Sequence, residues 1–168
     1  MDVVKFNNYF KSEGILDYYR GCLLDALSNG HVDYIAHQCN CFNSFGRGIA
    51  LTIKNRFPLA YLADQQTVRG DKEKLGTFTK ADNIYNVYGQ FTYGFKPQET
   101  IYEALEEGLR KVFSDILKDH VELNRAPVLG LPLIGCGLAG GDWEVVKEIL
   151  NNLIAEFDEG VKVAVYII

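Results

Sequence analysis

Four cysteines in 168 residues are too few for a secreted disulfide framework. Cys22, Cys39, Cys41 and Cys136 are therefore expected as reduced thiols, buried like other small apolar side chains. They also lack the spacing of a zinc site, because one residue separates Cys39 from Cys41 where a knuckle has two to four, and no second pair follows. No metal or cofactor is expected. The chain has no apolar run near the ~18 residues of a membrane span, and Met1-Asp2-Val3-Val4-Lys5 lacks a basic segment followed by an apolar one. A cytoplasmic protein with no membrane partner is the expectation. A basic excess is missing too: the net charge is −5, with both signs mixed along the chain. Such a chain repels polyphosphate backbones, so bulk nucleic-acid binding is not expected. A small anionic ligand stays open, because backbone N–H groups hold phosphate without a basic surface.

What is present is an ordinary globular composition, 48% hydrophobic and 23% charged. The length suits one domain, expected as a monomer, that buries roughly 70% of its unfolded surface. No internal repeat, low-complexity tract or dividing linker occurs. Strand-like and helix-like patterns alternate, the mark of an α/β chain. Val3 to Phe6 and Leu16 to Arg20 read as strands across a Lys11-Ser12-Glu13-Gly14 turn, and Val32 to Cys39 as a third. Ile49, Ile53 and Phe57 give a short helix that ends at Pro58, and Leu59 to Val68 another. Leu75 to Lys80 and Ile84 to Tyr88 read as a hairpin. Ile101, Leu105, Leu109, Val112 and Ile116 share one helix face, and Pro127 to Ile134 is an inner strand. A helix with Trp143, Val146, Leu150, Leu153 and Phe157 inward follows, and Val161 to Ile168 closes the chain as a strand.

Strand, glycine-rich loop, helix occurs twice, at Asn43 to Ala50 and at Gly135 to Gly141. In α/β sheets ligands lie beyond the carboxyl ends of strands, and a helix N-terminus after such a loop presents free N–H groups to an anion. Two loops of this kind can grip a pyrophosphate from two sides. One alone says little, since short turns often carry glycine for steric reasons. Neither loop is Gly-x-Gly-x-x-Gly, and the Gly-Lys-Ser/Thr ending of a P-loop is absent, which argues against nucleoside triphosphate hydrolysis.

The segment His37-Gln38-Cys39-Asn40-Cys41-Phe42-Asn43-Ser44-Phe45-Gly46-Arg47-Gly48-Ile49-Ala50 resembles the first ligand loop of macro domains. Its nearest likeness is the branch with ADP-ribose-1″-phosphate phosphatases and the terminal ADP-ribose-protein glycohydrolase. Pro132-Leu133-Ile134-Gly135-Cys136-Gly137-Leu138, with Trp143 opening the next helix, resembles the second. The resemblance implies a single macro domain over residues 1–168, a three-layer α/β/α fold with a mixed central sheet. It also implies a ligand, ADP-ribose or ADP-ribose-1″-phosphate, free or carried on an ADP-ribosylated macromolecule.

Roles follow from the same resemblance, position by position. Asn40 stands where the family holds the distal ribose, or else satisfies its own loop backbone. Gly46, Gly48, Ile49 and Ala50 correspond to the backbone around the phosphates, and Ile134, Gly135, Cys136, Gly137, Leu138 and Ala139 to the opposing clamp. Arg47 either contacts a phosphate or extends into solvent. Tyr166 is an aromatic beside the adenine or a plain sheet residue. Cys22 replaces the Asp or Asn that holds the adenine amino group, which leaves base recognition to groups near Leu23. Ala50 and Ala139 occupy the positions of two carboxylates used in de-ADP-ribosylation, and near Gln90-Phe91-Thr92 no lysine matches the one the glycohydrolase branch uses. His37 matches a histidine implicated in the phosphatase branch. It is the expected catalytic residue of a phosphatase that converts ADP-ribose-1″-phosphate to ADP-ribose and phosphate. The alternatives are a non-catalytic binder of ADP-ribose or a related nucleotide, and an ADP-ribosyl glycohydrolase. Asp142 reads as the N-cap of the Trp143 helix.

Overall fold

The structure is a computed structural model that describes residues 9–13, 15–121 and 124–167. Seven strands form one sheet: β1 (Tyr9–Glu13), β2 (Leu16–Arg20), β3 (Tyr34–Cys39), β4 (Phe78–Ala81), β5 (Ile84–Tyr88), β6 (Val128–Leu131) and β7 (Lys162–Ile167). Their order is β1-β2-β7-β6-β3-β5-β4. The five inner strands run parallel, while β1 and β4 pair antiparallel at the two edges. The helices are α1 (Leu23–Ser28), α2 (Gly48–Arg56), α3 (Pro58–Gln65), α4 (Tyr102–Asp119) and α5 (Trp143–Glu156), with a 3₁₀ turn at Lys72–Lys74.

Strand side chains alternate between faces, and this alternation divides the core into two layers. Tyr34 and Ala36 of β3, Val163 and Val165 of β7, and Leu129 and Leu131 of β6 pack with α4 and α5. Ile35 and Cys39 of β3, with Ala164 and Tyr166 of β7, pack with α1, α2 and α3. The expected three-layer α/β/α fold with a mixed sheet is therefore what forms. Of the α4 stripe, Leu105, Leu109, Val112 and Ile116 are wholly buried, whereas Ile101 is exposed because it stands before the first turn as the N-cap. Asp142 does cap α5, its side chain accepting from the Glu144 N–H at 3.0 Å. Trp143 ties that helix to β2 by donating to the Tyr18 hydroxyl at 3.0 Å.

Several boundaries differ from the sequence reading. The Val3 to Phe6 strand lies outside the described residues. Lys11, Ser12 and Glu13, expected in a turn, belong to β1, and Glu13 pairs directly with Leu16. Polar residues are poor strand formers, but at a sheet edge they gain a ladder partner on one side and water on the other. The Pro127 to Ile134 strand is shorter, because Pro132 has no N–H to continue the ladder after Leu131. Cys22, expected as a buried thiol, is exposed, because it caps α1 at a strand end with only the partly exposed Arg56 side chain against it, and Cys136 is half-buried, so only Cys39 and Cys41 are buried as expected.

Candidate functional site

Because the inner strands are parallel, their carboxyl ends all reach the same edge of the sheet. Arg20, Ile167, Leu131, Cys39 and Tyr88 end there side by side. The segments that leave them, at residues 21–23, 132–141, 40–47 and 89–100, are thereby brought together. Every candidate ligand residue lies on this edge except Tyr166, which is one residue short of it on β7 and buried against Tyr19, the rings stacked 5.1 Å apart. The structure thus places Tyr166 as a sheet residue.

The first loop is organised from within. Asn40 accepts from Phe42 N at 2.9 Å and Ser44 N at 3.4 Å, and donates to Ser44 O at 3.0 Å. Of the two roles open to Asn40, the loop-building one is what these bonds show, with one amide N–H left over for a ligand. The chain then exposes Gly46, Arg47 and Gly48 and turns into α2. No acceptor among the described residues takes the N–H groups of Gly46, Arg47, Gly48, Ile49 or Ala50. The first turn of α2 carries no acidic side chain either. Free donors and a helix pole coincide here, an arrangement suited to an anion. Arg47 extends into solvent with no ion pair among the described residues, one of its two expected positions.

The second loop is a tight coil held by its own backbone, with Gly141 N bonded to Gly135 O at 2.8 Å and Gly140 N to Gly137 O at 3.0 Å. Gly140 has φ +74°, and a Cβ there would strike the Pro97 carbonyl, so only glycine fits. The N–H groups of Gly137, Leu138 and Ala139 have no acceptor among the described residues. Leu138 stands out in solvent, while Ile134 and Gly135 are buried and Cys136 half-buried. Burial pushes the Cys136 thiol up to about 11, so it is protonated at neutral pH.

Sequence reasoning missed the support behind this loop. Glu99 is buried; its carboxylate accepts from Thr92 Oγ1 at 2.7 Å and from Phe95 N and Lys96 N at 2.9 and 3.1 Å. Its own N–H and that of Thr100 both bond the Ala139 carbonyl, at 2.7 and 3.2 Å. Thr100 Oγ1 then donates to Gly135 O at 2.6 Å and accepts from Gln38 Nε2 at 2.9 Å. Gln38 also donates to Gln90 Oε1 at 2.9 Å, which joins both loops and the 89–100 segment in one network. No local spacing announces such a set, since its members come from three separate chain segments.

His37 is not where the catalytic expectation needs it. The side chain is wholly buried beneath the edge-on Phe45 ring, at 5.3 Å between centroids. Its Nε2 lies 2.6 Å from Asn86 Oδ1 and is donor there, the carbonyl oxygen accepting. Burial pulls its pKa down to about 4, against which the Asn86 bond acts weakly. A group this covered has no path to a leaving oxygen or to water. A stability effect follows from the sign of the shift. The unfolded histidine takes a proton near pH 6.5 and the folded one near 4. Stability is then full above pH 6.5 and falls between 6.5 and 4 as the unfolded state gains protons. Urea midpoints recorded across that window are expected to drop towards acid in the wild type and to flatten in His37→Asn. Parallel curves would show that His37 titrates normally.

Other places are less suited to an anion. A shallow cleft of about 260 Å³ between α4 and α5 is lined by Glu103, Glu106 and Glu148. Among the described residues no three His, Cys, Asp or Glu side chains gather as a metal site, and no helix is long and apolar enough to cross a membrane.

The macrodomain of Thermus aquaticus DarG matches this fold with a TM-score of 0.67 at 27% identity, over 93% of this chain and all of that one. No family model matches the sequence. Human ADP-ribose glycohydrolase OARD1, however, is 30% identical over 135 residues, covering 80% of this chain and 81% of that protein. The chain belongs to the macro domain family. An ADP-ribose 1″-phosphate phosphatase of the yeast Lodderomyces elongisporus is 27% identical over 145 residues, covering 81% of this chain and 91% of the enzyme. Within this macro domain the carboxylates near the edge are engaged elsewhere. Asp142 caps α5 and Glu99 is closed into its loop, so neither faces the space between the two fans of free N–H groups.

Proposed function

We propose that this macro domain binds ADP-ribose, free or carried on a macromolecule, in the crevice at the carboxyl edge of the sheet, and holds it without turning it over. The observation that supports the reading best is the pair of unpartnered N–H fans, Gly46 to Ala50 and Gly137 to Ala139, which lie on neighbouring loops of one edge. Backbone donors of fixed direction suit a pyrophosphate and require no basic surface. Activities named for relatives, one on ADP-ribose and one on ADP-ribose 1″-phosphate, point to the same class of ligand. Titration calorimetry with ADP-ribose is expected to give saturable binding of one ligand per chain. Absence of heat at millimolar ligand would remove the site.

A second reading, a phosphatase acting on ADP-ribose-1″-phosphate, is favoured by the yeast relative's activity. It needs a general acid or base at the distal end of the ligand, and buried His37, Ala50 and Ala139 do not supply one. A glycohydrolase like the human relative meets the same difficulty. Incubation with ADP-ribose-1″-phosphate is expected to release no phosphate above background. Release that disappears in His37→Ala would establish the phosphatase instead.

A further inference from the structure

Beside the crevice, aromatic rings and cations are interleaved along one rim of the carboxyl edge. Phe42 in the first loop and Phe91 after β5 are half-buried and meet edge-on, with centroids 5.0 Å apart. The Arg69 guanidinium lies 5.7 Å from the centre of the Phe42 ring, and the Lys72 ammonium 5.2 Å from that of Phe91. Further along the same segment Tyr93 and Phe95 stand 6.2 Å apart, 42% and 80% exposed, and the exposed Lys96 follows. The backbone under these rings is fixed, because Cys41 N bonds Phe91 O at 2.9 Å and buried Glu99 holds Thr92, Phe95 and Lys96. A ring as exposed as Phe95 adds little to the fold. Arg69, Lys72 and Lys96 make no ion pair among the described residues. Of the carboxylates nearby, Asp71 and Glu99 accept from N–H groups of their own loops, and Glu73 pairs with none of the three cations. The net charge of −5 conceals this rim, because most of the acidic excess lies on α4 and α5, with eight carboxylates against four cations.

From this arrangement we infer that the rim binds single-stranded nucleic acid, with bases stacked on Tyr93 and Phe95 and phosphates against Arg69, Lys72 and Lys96. A single strand repeats a charged phosphate and a flat unpaired base, and the rim offers the complement of each. A duplex keeps its bases stacked on one another and could use the cations alone. A protein partner fits less well, because the centre of a protein interface is depleted of lysine, whereas here lysines are interleaved with the rings. The inference stands apart from the ADP-ribose reading, since no residue of the rim belongs to the two fans of free N–H groups.

Fluorescence anisotropy of a labelled oligothymidine of about 12 nucleotides, long enough to span one site, tests this. Saturable binding is expected, with an affinity that falls as salt rises at a logarithmic slope of about −2, the value for three phosphates of a single strand. Lys72→Gln/Lys96→Gln should reduce that slope to about −0.7. Phe95→Ala should weaken binding roughly 10-fold, the loss of one stacked base, and Phe95→Trp should keep it. The thermal midpoint and the calorimetric response to ADP-ribose should be unchanged in these variants, which separates the rim from the fold and from the crevice. Absence of binding at about 50 mM salt overturns the inference. So does a duplex of the same length that binds as tightly as the single strand, or a Phe95→Ala/Tyr93→Ala variant that binds like the wild type. Binding of the strand by a protein that takes up no ADP-ribose would uphold the rim and remove the crevice reading alone.

Discussion

Gly46→Glu is expected to lower ADP-ribose affinity about 100-fold while leaving the thermal midpoint unchanged. The second half follows from the local backbone. Gly46 is exposed, does not have a left-handed φ, and a Cβ there would find only Ser44 Oγ, at 3.6 Å. Nothing in the folded state resists a side chain. The first half follows from charge. A carboxylate at position 46 would lie beside the N–H groups that await the pyrophosphate, occupying donors and repelling phosphate oxygens. At roughly 5 Å, with an effective dielectric constant between 20 and 40, one pair of like charges costs about 2–3 kcal/mol, and a factor of about 100 corresponds to the upper part of that range. Gly46→Lys separates charge from bulk, since it fills the same space with the opposite sign. Its affinity should hold or rise. An equal loss in both variants would mean that the loop binds by shape and not by field.

The glycine-rich loops were legible because two local signals coincide at each: an apolar strand before and an amphipathic helix after. Periodicity was a good guide for the same reason wherever burial is one-sided, as in α4, whose Leu105, Leu109, Val112 and Ile116 all reach the core. Other features depend on partners distant in sequence. Lys11 to Glu13 become a strand only because β2 is there to pair with. The sequence shows that His37 shares strand parity with Ile35 and Cys39, but not that Phe45 and Asn86 close over it. Glu99 carries no signal in the sequence, and is buried because three donors of its own loop surround it. Cys22 could be placed at the base end of the crevice by resemblance alone. That Arg56 stands beside it required the packing of α2 against α1. Side chains that build the site locally could be read, whereas those that enter it across the fold could not.

Lys74 belongs to the second kind, and its removal should do the greatest damage to the fold. Lys74→Met is expected to destabilise the protein by about 3–5 kcal/mol at pH 7, the cost of breaking a buried charge arrangement from one side. Lys74, the last residue of the Lys72–Lys74 turn, is 7% exposed. Its ammonium donates to Asn43 Oδ1 at 2.7 Å and Thr67 Oγ1 at 2.8 Å, above the Tyr88 ring at 5.3 Å. Asp64, wholly buried, accepts from Tyr88 OH at 2.7 Å and Gln65 Nε2 at 3.1 Å. Burial raises the Asp64 pKa, and the Lys74 charge is among the influences that oppose the rise. Without Lys74 the carboxyl should rise further. A folded-state pKa above the unfolded one costs most above both values and nothing below both. The gap between variant and wild type should therefore narrow as the pH falls from 7 towards 4. Lys74→Met/Asp64→Asn removes the stranded charge and should recover part of the loss at pH 7. The damage also reaches the crevice, because Asn43, in a left-handed conformation at φ 58°, is anchored by Lys74 on its side chain and by Gln65 on its carbonyl at 2.8 Å. Loss of the Lys74 bond loosens the residue from which the first ligand loop departs. Chemical denaturation of the single and double variants at pH 7 and pH 4.5 checks the account. A single-variant loss that stays constant with pH would show that Lys74 acts through packing and its hydrogen bonds to Asn43 and Thr67, without bearing on Asp64.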